Sequence, residues 1–227
     1  MHILVLHLHA PDLAAQHEFY AGPLGLPVTR DDVALNIQVG ATRLVFEQAA
    51  AGTAPRYHFA FNIPENQFAA AKAWVSARMP LLTDPEGADE FTFEPWNAHA
   101  FYFADAAGNI LECIARHDLP NASTRPFTAD SLLNVCEIGL PGQTVAAVAD
   151  PLQDTFGVPQ YSGDRETFAA LGDPNGLFIL VPNGHGWLPG KRVCAASYPV
   201  AAWIAGLGEA SLRIAGLPYQ IQAVRVD

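Results

Sequence analysis

The chain has 227 residues, half of them hydrophobic, with 18 glycines, 18 prolines and only 15% charged side chains. At about 100–200 residues per domain this is one large domain or two small ones, able to bury a core without disulfide or metal staples. Twelve basic against 23 acidic residues leave a formal net charge of −11, which argues against nucleic acid and anionic membranes as partners, because both need a positive footprint.

No stretch approaches the ~20 apolar residues of a membrane span. The opening MHILVLHLHAPDL lacks a basic lead-in and a small-residue cleavage site, so it does not read as a signal peptide. Cys113, Cys136 and Cys194 are too few and too scattered for a disulfide framework or a zinc site. A cytoplasmic protein is expected.

Residues 2–9 form an apolar run of strand length. Asp12 then caps a helix that stops at Gly22 and Pro23. LGLPVTR, LNIQVG and TRLVFE follow as three short strands. The pattern restarts with YHFAFNI as a strand and a helix carrying Phe68, Ala71 and Val75 on one face, closed by Pro80. EFTFEPW, AHAFYFADA and NILECIA are strands again. Residues 117–131 are polar and aperiodic and read as a linker. LLNVCEIGL, a helix over 144–155 and strands to about Val181 make a third start. The tail from about 183 offers three strand-like runs and no fourth helix.

These restarts are an internal repeat. Leu24-Gly25-Leu26-Pro27 matches Phe156-Gly157-Val158-Pro159, and Asp105-x-x-Gly108 matches Asp173-x-x-Gly176. The fold class is therefore α+β, built of tandem βαβββ modules. Such modules, with DLAAQHEFYAGPLGLP (12–27), YHFAFNI (57–63) and AFYFADAAGNILE (100–112), resemble the vicinal oxygen chelate superfamily of glyoxalase I, extradiol dioxygenases and bleomycin-resistance proteins. The resemblance implies curved mixed sheets, a complete paired-module domain over 1–116, and a second, incomplete one over 132–227. It specifies no single activity, because the fold hosts several chemistries.

The resemblance places metal ligands at His58, which opens the first strand of the second module, and at Glu112, four residues past Gly108. Imidazole plus carboxylate suits iron, manganese, nickel or zinc. Each residue alone would read as a core histidine or a strand-end glutamate. In the first module the corresponding ligand position falls on Val5, which cannot bind metal. His7 shares the face of Val5 and is read as a catalytic base, a displaced ligand, a substrate contact or a buried core histidine. His9 reads as a rim residue. Glu47 is a further candidate ligand, or else a partner of Arg43 or Arg56.

Parity puts Arg43, Arg56, Asn62 and Trp96 on concave faces as substrate-binding candidates. Tyr102, matching a tyrosine of the fosfomycin-resistance branch, joins His7 as a catalytic candidate. His99 and Cys113 point to the helix layer. Glu137 reads as buried in a hydrogen-bonded pair or at a module interface, because the position equivalent to Glu112 in its module is Leu180. The polar cluster is expected in a cavity formed by 1–116, with the 132–227 cavity filled by apolar side chains.

Two functions follow. One is a divalent-metal-dependent lyase, isomerase or dioxygenase acting on a small oxygen-rich molecule. The other is a metal-free protein that sequesters a small molecule, as bleomycin-resistance proteins do. The chain is expected to act as a monomer or a homodimer.

Overall fold

The computed structural model describes residues 1–31 and 33–225. The first module is β1 (His2–Ala10), α1 (Leu13–Ala21), β2 (Val28–Arg30), β3 (Ala34–Val39) and β4 (Thr42–Gln48). The second is β5 (His58–Ile63), α2 (Phe68–Ser76), β6 (Leu81–Leu82), β7 (Phe91–Phe93), β8 (Ala98–Ala104) and β9 (Ile110–Arg116). The third is β10 (Asn134–Gly139), α3 (Val145–Phe156), β11 (Gln160–Gly163), β12 (Ala169–Asp173) and β13 (Gly176–Leu180). The tail supplies β14 (Val200–Ala205), β15 (Ala210–Arg213) and β16 (Tyr219–Val224), with no helix among them.

Local chemistry sets the boundaries. The Asp12 carboxylate accepts from Ala14 N and Ala15 N at 2.9 and 3.0 Å, satisfying two otherwise unpaired donors at the start of α1. The repeated Leu-Gly and Phe-Gly steps have a common cause. Gly157 caps α3 with a left-handed φ of 63°, and Gly25 takes φ 62° in the turn that follows the α1 cap at Gly22, a conformation glycine adopts without a Cβ penalty.

The sheets do not join modules in chain order. The strand order β15-β16-β14-β1-β4-β3-β2 pairs the first module with the tail, and β11-β12-β13-β10-β5-β9-β8-β6 pairs the second with the third. Residues 1–116 therefore do not close on themselves as one paired-module sheet. The seams are β1 against β14 and β5 against β10, both antiparallel. β14 continues the apolar alternation of β1 through Val200, Ala202 and Ile204, while β5 is buried along its whole length, as a central strand must be.

One core unites the two sheets and the helices. It holds Leu6, Leu44 and Phe46 from one sheet and Phe59, Phe61 and Phe101 from the other. Each fully buried phenylalanine contributes roughly 1.5–3 kcal/mol. The Thr42 hydroxyl ties the layers, donating to Ile3 O at 2.7 Å and accepting from Val135 N at 3.0 Å. The segment 117–131 is packed rather than free: Gln67 donates to Arg125 O at 2.6 Å, and Phe127 lies 5.6 Å from Trp74, centroid to centroid. Among the described residues no helix is long and apolar enough to cross a membrane.

Candidate metal centre

The concave face of the second sheet carries the polar cluster. Register sets Ala60 beside Glu112 and Tyr102 opposite Glu112. Alternation then gives His58, Tyr102, Glu112 and Arg116 one face, and Phe59, Phe61 and Cys113 the helix face. β10 adds Glu137 through an irregularity. Val135 pairs with Phe61 but Glu137 with Ala60, so one extra residue is absorbed between them. That bulge lets Val135 and Ile138 both reach the helix-side core while Glu137 faces the cavity. Ala60, Ala98 and Ala100 on the same face leave room above them.

The His58 Nδ1 atom lies 3.2 Å from the Ile110 carbonyl oxygen. A carbonyl only accepts, so this bond assigns the ring proton to Nδ1 and leaves Nε2 bare in the neutral ring. Burial pushes the His58 pKa down to about 4, against a smaller opposing effect of the Ile110 bond, so the ring is neutral near pH 7. Nε2 faces Glu112 Oε2 at 3.6 Å and Glu137 Oε2 at 4.0 Å. With the ring neutral, neither contact is an ion pair.

Burial, then the charge of Glu137, pushes the Glu112 pKa well above the usual carboxylate range, opposed by Arg116 and Tyr102. Burial also raises Glu137, opposed by Arg116, whose Nη2 donates to Glu137 Oε1. Glu137 thus gives one oxygen to a guanidinium and presents the other to His58.

Three lone-pair atoms of His58, Glu112 and Glu137 lie within 4.8 Å of one another. Such a set is stabilised by a cation at its centre, either a proton or a metal ion. Donors bonded to one ion at ~2.0–2.2 Å stand roughly 3–4 Å apart, so the 3.6 and 4.0 Å spacings fit. One imidazole and two carboxylates suit iron, manganese, nickel or zinc. Among the described residues this is the one group of three able to hold an ion.

Above the cluster lies a cavity of about 290 Å³, walled by Trp96, Tyr102, Phe168, Ile179 and Trp187. Trp187 belongs to a flap closed by the Gly186–Cys194 bridge and by Trp187 N donating to Val193 O at 2.9 Å. Its ring stacks 4.9 Å from that of His58. Only glycine at 139 permits this, because an added Cβ would stand 2.8 Å from the indole edge. Gly139→Ala is expected to displace Trp187, red-shift its emission and cost about 1–3 kcal/mol in thermal unfolding.

The structure gathers some predicted residues and separates others. His58 and Glu112 meet, and Trp96 and Tyr102 line their cavity. Glu47 does not join them, because β4 and β5 lie in different sheets. Its Oε1 instead contacts His7 Nδ1 at 3.1 Å, on the open face of the first sheet beside Trp203. In register with Ala201 and Trp203 of β14, Gln220 and Gln222 of β16 give that face neither a histidine nor a carboxylate to complete a site. Arg43 is exposed there, opposite Gln38. Asn62 donates to Pro174 O at 2.9 Å, at the far end of β5. Arg56 is exposed beside the Gly108 turn, outside this cavity. His99 and Cys113 face the helix layer.

Arg116 and Trp187 are residues that sequence reasoning missed in the cluster, whereas Glu137 is buried in a hydrogen-bonded pair at a module seam as expected, and only its place beside His58 was missed. Glu137 carried a signal, as the acidic residue in the first strand of the third module. The expected 1–116 pairing hid its partner.

No protein-family model matches the sequence, and no curated protein matches it. Solved structures do. A Bacillus subtilis chain, provisionally assigned as a dioxygenase, superposes with a TM-score of 0.63 over 98% of this chain and 85% of its own, at 14% identity. Two mutant forms of glyoxalase I from Zea mays superpose with a TM-score of 0.57 over 99% of this chain and 92% and 93% of theirs, at 16% and 14% identity. The chain has the fold of glyoxalase I, tandem βαβββ modules in curved mixed sheets. At these identities the likeness is one of fold, and within that fold the cluster occupies the concave sheet face shared by the second and third modules.

Proposed function

We propose that this protein is a divalent-metal-dependent enzyme of the glyoxalase or dioxygenase type, acting on a small oxygen-rich molecule in the Trp96–Trp187 cavity. The observation that carries the reading is the bare Nε2 of a neutral His58, turned toward two buried carboxylates. A bound ion would polarise neighbouring oxygens of the substrate. His58, Glu112 and Glu137 would hold it, and Arg116 fixes the orientation of Glu137 from behind.

The other groups have chemistry to match. The Tyr102 phenol is held protonated by burial and by Glu112, so it serves as a hydrogen-bond donor. As a ligand of the ion Glu112 would be ionised, so its raised metal-free pKa bears on metal binding rather than on proton transfer. Trp96 and Trp187 give the cavity apolar walls, which strengthen these interactions by lowering the local dielectric. His7 lies on the other sheet and takes no part.

Elemental analysis of protein purified without chelator tests the proposal, with His58→Ala as control. About one transition-metal ion per chain is expected in the parent protein and little in the variant. Affinity should also rise with pH. Without metal the raised Glu112 keeps its proton, which must leave on binding, so affinity should gain roughly tenfold per pH unit up to the Glu112 pKa.

The Arg116–Glu137 pair favours a second reading, a metal-free binder. Arg116 then balances Glu137 while Glu112 stays protonated. Metal-free protein and pH-independent ligand binding would select that alternative.

A further inference from the structure

Trp187 and Leu188 wall a second cavity of about 480 Å³ on the far side of the flap. Its charged lining is Arg56 and Arg192, and among the described residues no aspartate or glutamate lines it. In a chain where acidic residues outnumber basic ones 23 to 12, this is a local reversal of sign. Neither arginine forms an ion pair among the described residues, unlike Arg116, Arg165 and Arg225.

Both arginines are placed by backbone. Arg56 lies along the Gly108 turn, with Nε 3.4 Å from where a Cβ on that glycine would stand. Arg192 sits on the flap, whose tip at Gly190 approaches the Thr83 carbonyl, 3.3 Å from an ideal Cβ. Arg56 precedes His58 by two residues, about 6–7 Å of extended chain. The two cavities are thus close enough to serve one small molecule.

We propose that this second cavity is an anion subsite, in which Arg56 and Arg192 hold a carboxylate or phosphate of the molecule whose oxygen-rich end reaches His58, Glu112 and Glu137. The link to that cluster rests on the proposed function; the subsite itself does not. Two cations in a concavity focus potential on an anion, and guanidinium groups match planar or tetrahedral oxyanions by paired N–H donation. The substrate class is accordingly an acid or phosphate ester with a compact oxygen-rich head, and Trp187 partitions head from tail.

The test uses chelator-treated, ¹⁵N-labelled full-length protein, so its outcome is independent of any metal. Inorganic phosphate and acetate are titrated separately, with chloride matching ionic strength. The Trp187 indole and Gly190 amide resonances should shift saturably. The Arg56→Gln/Arg192→Gln variant should bind at least about tenfold more weakly, and Arg30→Gln unchanged. Both arginines are exposed, so the double variant should melt like the parent protein. Saturation by phosphate alone identifies a phosphoryl group; saturation by acetate admits a carboxylate. Shifts absent with both anions, or undiminished in the double variant, would overturn the subsite and leave the metal reading intact.

Discussion

Arg116→Met should destabilise the protein by about 3–5 kcal/mol, the usual cost of leaving one partner of a buried ion pair uncompensated. For a chain of this size the melting temperature should fall by roughly 10 °C. Arg116 is 1% exposed and donates to Glu137, itself 2% exposed, so little solvent can replace the lost partner. The guanidinium also sits 5.1 Å over the Trp96 ring. Adding Glu137→Leu should restore most of the stability, because an apolar pair of similar volume is often neutral in such a site. The double variant should nevertheless lose metal affinity, because it lacks the Glu137 carboxylate. Chemical denaturation of the three proteins checks the stability pattern, and recovery failing in the double variant would count against the pair.

Glu137→Gln should weaken divalent-metal binding by more than about 100-fold, exceeding the 10–100-fold cost typical of groups that only orient a ligand. His7→Ala and Glu47→Gln should change it by less than about twofold. The reason is topological. β1 and β4 carry His7 and Glu47 into one sheet, while β5, β9 and β10 carry His58, Glu112 and Glu137 into the other. Calorimetric titration with manganese, nickel and zinc separates the two sets. Loss on His7→Ala with Glu137→Gln unaffected would move the centre to the first sheet.

Much of the fold was legible because it is written locally. The Asp12 cap, the glycines after α1 and α3, and the strand alternation act over a few residues each, and the repeat follows from them. The pairing of modules was not legible. It depends on which strand edge meets which across long chain separations, and β1 and β5 offer similar apolar edges to any partner. That one choice decided the site. His58 and Glu112 sit within one module, and their register follows from parallel β5 and β9. Glu137 needed both the β5–β10 seam and the bulge before it, and simple alternation encodes neither. Trp187 lies in an irregular flap, and its place over Gly139 depends on the absence of a Cβ in a distant strand.

The most direct measurement is an anomalous difference map from crystals of the protein grown with manganese. One peak is expected within bonding distance, about 2.0–2.3 Å, of His58 Nε2 and of carboxylate oxygens of Glu112 and Glu137. A peak between His7 and Glu47, or no peak beside His58 at saturating manganese, would contradict the proposed centre.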